Sequence, residues 1–97
     1  MKVLLLLVLW APQESQARLA AGQEKIKVRD FDGAIPELEK CLELAPEEYN
    51  ASFGLGICYW EKEQYKTARG HFRKVVEAVE RRTPGAALTT VHQKLLG

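Results

Sequence analysis

The sequence predicts an all-α fold of antiparallel helix–turn–helix repeats, with about five helices after an N-terminal leader. Three observations carry that prediction. Chemically matched residues recur at an offset of 34: Gly22 with Gly56, Phe31 with Tyr65, Ala34 with Ala68, Leu38 with Phe72, Cys41 with Val75. Apolar residues fall at three- and four-residue steps, without the alternation of a strand. The chain has 97 residues, of which 46% are hydrophobic and 28% charged, enough for one small domain with a thin core. A period in this range marks units that bury their apolar faces against one another.

Residues 1–17 have the layout of a secretory signal. Lys2 precedes an unbroken apolar run from Val3 to Ala11, Pro12 closes it, and Ser15-Gln16-Ala17 places small residues at a cleavage spacing. Cleavage after Ala17 leaves a domain of residues 18–97, exported to a periplasm or secreted. Without a working signal the chain is cytoplasmic, and the segment is a helix packing on the domain. The run falls well short of the about 20 residues that span a bilayer, so no stable membrane span is expected.

The elements then follow in order. A first helix covers residues 15–28 and breaks near Arg29-Asp30. Asp30 or Asp32 caps the second, which runs to about residue 44 with Ala34, Leu38, Cys41 and Leu42 on one side, and Pro46 ends it. Pro36, near its first turn, removes a backbone hydrogen bond and loosens its start. The third helix spans about 47–62 and the fourth about 64–81, with Phe72, Val75, Val76 and Val79 as an apolar stripe. Glu80 stands where the first copy has Pro46, so the fourth helix is expected to be about one turn longer than the second. Thr83-Pro84 starts a last helix over residues 86–96, with Leu88, Val91 and Leu95 on one face, suited to capping the final repeat.

Charge and motifs exclude several classes of function. The net charge of +1 supplies no field for nucleic acid. It hides a segregation: residues 18–48 carry five basic and eight acidic side chains, residues 49–82 seven basic and four acidic. That pattern serves either as two solvated faces or as complementary ends of head-to-tail copies. His71 and His92 have no second ligand at helical spacing, so no metal is expected. No phosphate loop, nucleophile elbow or singled-out carboxylate pair is present, so neither enzymatic activity nor a cofactor is expected. Cys41 and Cys58 lie on successive helices, where either buried thiols or a disulfide fits the spacing.

A 34-residue helical hairpin with these signature places resembles the tetratricopeptide repeat. The first copy, residues 15–48, carries Ala21-Gly22, Phe31, Ala34, Leu38, Cys41 and Pro46. The second, residues 49–82, carries Leu55-Gly56, Tyr59, Tyr65, Ala68, Phe72 and Val75, and a capping helix follows at about 84–96. The resemblance implies that Gly22 with Ala34, and Gly56 with Ala68, mark the closest helix approach. Phe31 and Tyr65 would plug the turn, and Leu38 and Phe72 the core between units. It also implies a concave groove made by Leu19, Gln23, Ile26 and Lys27 from the first unit and Phe53, Ile57, Trp60 and Glu61 from the second. Such a floor, largely apolar, takes another protein or peptide with hydrophobic side chains. The family's Lys/Asn/Arg grip on a terminal carboxylate is not visible, because Leu19 and Gly54 occupy places expected to be polar. Two units plus a cap are few, so self-association into a structural subunit is the alternative.

Overall fold

The structure, a computed structural model, describes the backbone of residues 2–82 and the side chains of residues 13–82. The described residues form four helices and no strand: α1 (Lys2–Lys27), α2 (Phe31–Leu44), α3 (Tyr49–Glu61) and α4 (Tyr65–Arg82). α1 packs on α2 and α3 on α4, and α3 also packs on both helices of the first hairpin. The expected helix over 86–96 lies outside the described residues. α1 begins well before residue 15, because the leucine-rich run favours helix and Pro12 does not end it. None of the described helices is long and apolar enough to cross a membrane.

The period written in the side chains is repeated in the backbone. α1 and α3 end 34 residues apart, at Lys27 and Glu61, and α2 and α4 begin 34 apart, at Phe31 and Tyr65. In each turn one residue takes the left-handed conformation, Arg29 and Glu63, both at φ 63°. The hydrogen bonds match as well: Asp30 N to Lys25 O and Gln64 N to Tyr59 O are both 2.8 Å. Asp30, not Asp32, caps α2, its carboxylate accepting from the Gly33 amide at 3.0 Å. Pro36 lies in the second turn rather than the first, and α2 continues through it to Leu44. α4 has 18 residues against 14 in α2, the extra turn that the missing proline predicts.

The core is centred on Leu38, which is 0% exposed and gathers Leu19, Ala34, Cys41, Ala51, Leu55 and Cys58 around it. Its methyl groups occupy notches in two other helices. A Cβ added to Gly22 on α1 would lie 2.5 Å from Leu38 Cδ2, and one added to Gly54 on α3 would lie 2.9 Å from Cδ1. The close approach at Gly22 is therefore made mainly to Leu38, with the Ala34 carbonyl further off at 3.6 Å. The second unit repeats the device: a Cβ on Gly56 would lie 2.4 Å from Phe72 Cε1. Phe72 is only half-buried, however, and no described helix supplies a second notch for it.

That difference orders the expected costs of substitution. Gly22→Ala should destabilise by about 1–3 kcal/mol, because Leu38 is enclosed and cannot retreat. Gly56→Ala should cost less, since Phe72 can swing toward solvent. Gly70→Ala, with open space around its Cβ, should stabilise α4 by about 1 kcal/mol. Urea unfolding of the three variants checks the order.

Candidate partner-binding surface

The residues of the expected groove divide by unit. On α1, Gln23 and Lys27 are exposed, Ile26 is half-buried against the core, and Leu19 is 6% exposed and belongs to the core itself. Leu19 therefore corrects the expectation of a first-unit groove residue: burial in the core leaves it little surface to offer a partner. On α3, Ile57 is half-buried and Glu61 exposed, and two aromatics stand well out of the core, Phe53 at 39% and Trp60 at 53% exposure.

Those aromatics are not isolated. Phe53 meets Phe72 at 5.7 Å between ring centroids, tilted by 57°. Trp60 meets Tyr65 edge to face at 4.6 Å, and Tyr65 is itself 44% exposed. Tyr65 stands beside the turn, as the resemblance implies, but is exposed there; Phe72, expected to fill the core between units, is half-buried. Leu19 and Leu38 are buried, and Ile26 and Phe31 half-buried, in a core that Ala51, Leu55 and Cys58 of the second unit help to form, whereas their counterparts Phe53, Trp60, Tyr65 and Phe72 belong to the last described unit. Among the described residues, three of the four exposed large hydrophobic side chains, Phe53, Trp60 and Tyr65, therefore belong to the second unit.

Charges frame this surface. Across the junction of the units Arg29 pairs with Glu61 at 3.0 Å, Asp32 with Lys62, and Glu47 with Arg81 at 3.2 Å. Part of the opposite charge of the two halves is therefore matched within one chain. A shallow depression of about 200 Å³ lies between Tyr49, Ser52, Lys74 and Arg81. Its mixed charges give it no single ligand chemistry. No group of three or more His, Cys, Asp or Glu suited to a metal occurs among the described residues.

Both cysteines are free thiols buried in the core. Burial pushes Cys41 up, and burial, opposed by Lys62, pushes Cys58 up to about 11. Neither is a nucleophile near neutral pH, because the thiolate is the reactive form. His71 on α4 stacks on Tyr59 of α3 at 5.5 Å, nearly parallel. Its Nδ1 is buried without a hydrogen-bond partner. Burial first and then Lys74 hold this imidazole below its ordinary value of 6.5.

This is a right-sized helical-hairpin array: two equivalent units, small residues at the close approaches, and an apolar face passed from each unit to the next. The family model for the tetratricopeptide repeat matches residues 19–87, and the chain belongs to that family. Tetratricopeptide repeats are protein-interaction modules. No match was found among curated proteins or among solved structures.

Two measurements follow from the titrating groups. The depressed His71 favours the neutral form in the fold, so its contribution is full above pH 6.5 and is lost as pH falls below that value. His71→Phe should remove that part of the acid slope in a comparison of stability at pH 7.5 and pH 5. Alkylation of Cys41 and Cys58 at pH 8 should be slow in the folded chain and fast in denaturant; fast labelling of the native chain would contradict their burial.

Proposed function

We propose that this chain is a non-catalytic interaction module that takes a peptide or helix of another protein on its exposed aromatic surface. Phe53, Ile57, Trp60 and Tyr65 form the contact floor, and Gln23, Lys27 and Glu61 form a polar rim. The observation that carries this reading is the open display of ring pairs that occupy core-equivalent places. Aromatic side chains held in place by neighbours bring large contact area at little cost in entropy, and such anchors dominate binding energy. The rim charges set orientation more than strength.

Export on the N-terminal segment remains part of this proposal, with a consequence for the cleavage site. Cutting after Ala17 would remove Glu14, which bridges Arg18 at 3.1 Å, and Gln16, which donates to Glu48 at 3.0 Å. It would also remove the buried Ser15. The mature first unit would then rest on the Leu38 core with a shorter α1. Intact mass of exported chain reads the site directly.

Trp60 is the test of the surface. Trp60→Ala should weaken partner binding by about 2 kcal/mol or more while helicity by circular dichroism stays unchanged. Unchanged binding would remove the aromatic floor from the function. Lost helicity would show that Trp60 serves the fold.

A further inference from the structure

We propose that the occupant of the open aromatic end is a second copy of this chain, which lays its α1 across α3 and α4 in head-to-tail register. The proposal rests on the reading that this end takes a helix, and it names which one. The molecule itself supplies the template, since α3 already docks on the first unit as a following helix would dock on the second. Shifting that junction by 34 residues identifies the contacts between copies.

In the template, Ala51, Gly54 and Cys58 are the buried residues with which α3 enters the junction. Of their counterparts on α1, Ala20 and Glu24 remain after cleavage at Ala17, and both are exposed in the single chain. Ala20 then faces Phe72 as Gly54 faces Leu38. Small residues alone would not identify a partner; the charges do.

The Arg29–Glu61 pair, at 3.0 Å within one chain, becomes Glu63 of one copy with Lys27 of the next. Both signs have changed, so the pair is again attractive. Cys58 lies in the buried core cluster and Ile35 packs against that cluster, and their counterparts are Glu24 and Arg69. Two apolar places of the template thus become an acidic one on α1 and a basic one on α4. The Asp32–Lys62 pair maps onto Val28 and Lys66, where the lysine stem lies against an exposed apolar side chain.

The rearrangement asks little of the single chain. Glu24 and Lys27 pair with each other at 3.2 Å, with side chains 71% and 72% exposed, so their exchange of partners costs almost nothing. Glu63 and Arg69 make no ion pair among the described residues.

Sedimentation velocity of the full chain over a concentration series tests the proposal. The wild type should grow in mass with concentration, and less so at high salt. Two variants reverse one side each: Glu63→Lys with Arg69→Glu, and Glu24→Lys with Lys27→Glu. Each should associate at least about tenfold more weakly, because like charges then meet at the contact. All four sites are exposed, so circular dichroism should match the wild type. An equimolar mixture of the two variants should regain association, since each reversed end then finds a reversed α1.

A wild type that stays monomeric at millimolar concentration overturns the proposal, including the case in which residues 84–96 cover the end. Reversed variants that associate like the wild type, or folded variants whose mixture stays monomeric, overturn it too. If Trp60→Ala still weakens binding of another protein by a monomeric wild type, the aromatic surface stands and only the choice of occupant fails.

Discussion

Leu38 is held between two helices by the absence of two side chains. Gly22 on α1 and Gly54 on α3 each leave a notch that a single methyl group would fill. One leucine therefore locks the first hairpin to itself and to the second hairpin. Burial of one such side chain is worth about 1.5–3 kcal/mol, a large share of what a domain of this size can spare. The helices around it contribute few other large apolar groups that are fully buried. Ala34, Cys41, Ala51 and Cys58 are small, and they let backbones approach instead of filling volume. Stability here comes from closeness, and closeness comes from the glycines.

The same device, met a second time, is left unfinished. Phe72 fills the notch of Gly56 but has no described helix on its other side. The consequences spread along the unit: Phe53, Trp60 and Tyr65 stand in the open, paired ring to ring, while their first-unit counterparts are covered. In a repeat protein the interior of the stack and an exposed apolar face are therefore one kind of surface, and position in the series decides which of the two a residue belongs to. The charges follow that logic. Acidic and basic halves meet at the internal junction, where Arg29 pairs with Glu61 and Asp32 with Lys62.

Much of the fold was legible in one sequence because a repeat states its pattern twice. The 34-residue offset located both turns, and the loss of proline at Glu80 foretold the longer fourth helix. The candidate surface was less legible. Leu19 looks like a groove residue when helical phase alone is considered, yet it belongs to the core. Gly22 does face Ala34, but the deeper contact is with Leu38 a turn further along. Phe72 is expected to fill the core and is only half-buried. These differences have one cause: helical phase says which way a side chain points on its own helix and nothing about which neighbour is there to meet it. The cysteines carry the same lesson, since their spacing allowed a disulfide and the packing holds two free thiols instead.

By itself, the sequence determined the helical hairpins, their period, their turns and their family, because each of these depends on interactions within a few residues. Capping at Asp30, the stop before Pro46 and the small residues at regular places are all local statements. Only the tertiary structure decided that Leu38 is the common point of three helices and that the aromatic residues of the second unit are surface. Burial is a property of what lies across the gap, often 30 residues or more away along the chain. A pattern that repeats cannot say, from its own residues, where the repetition stops being covered.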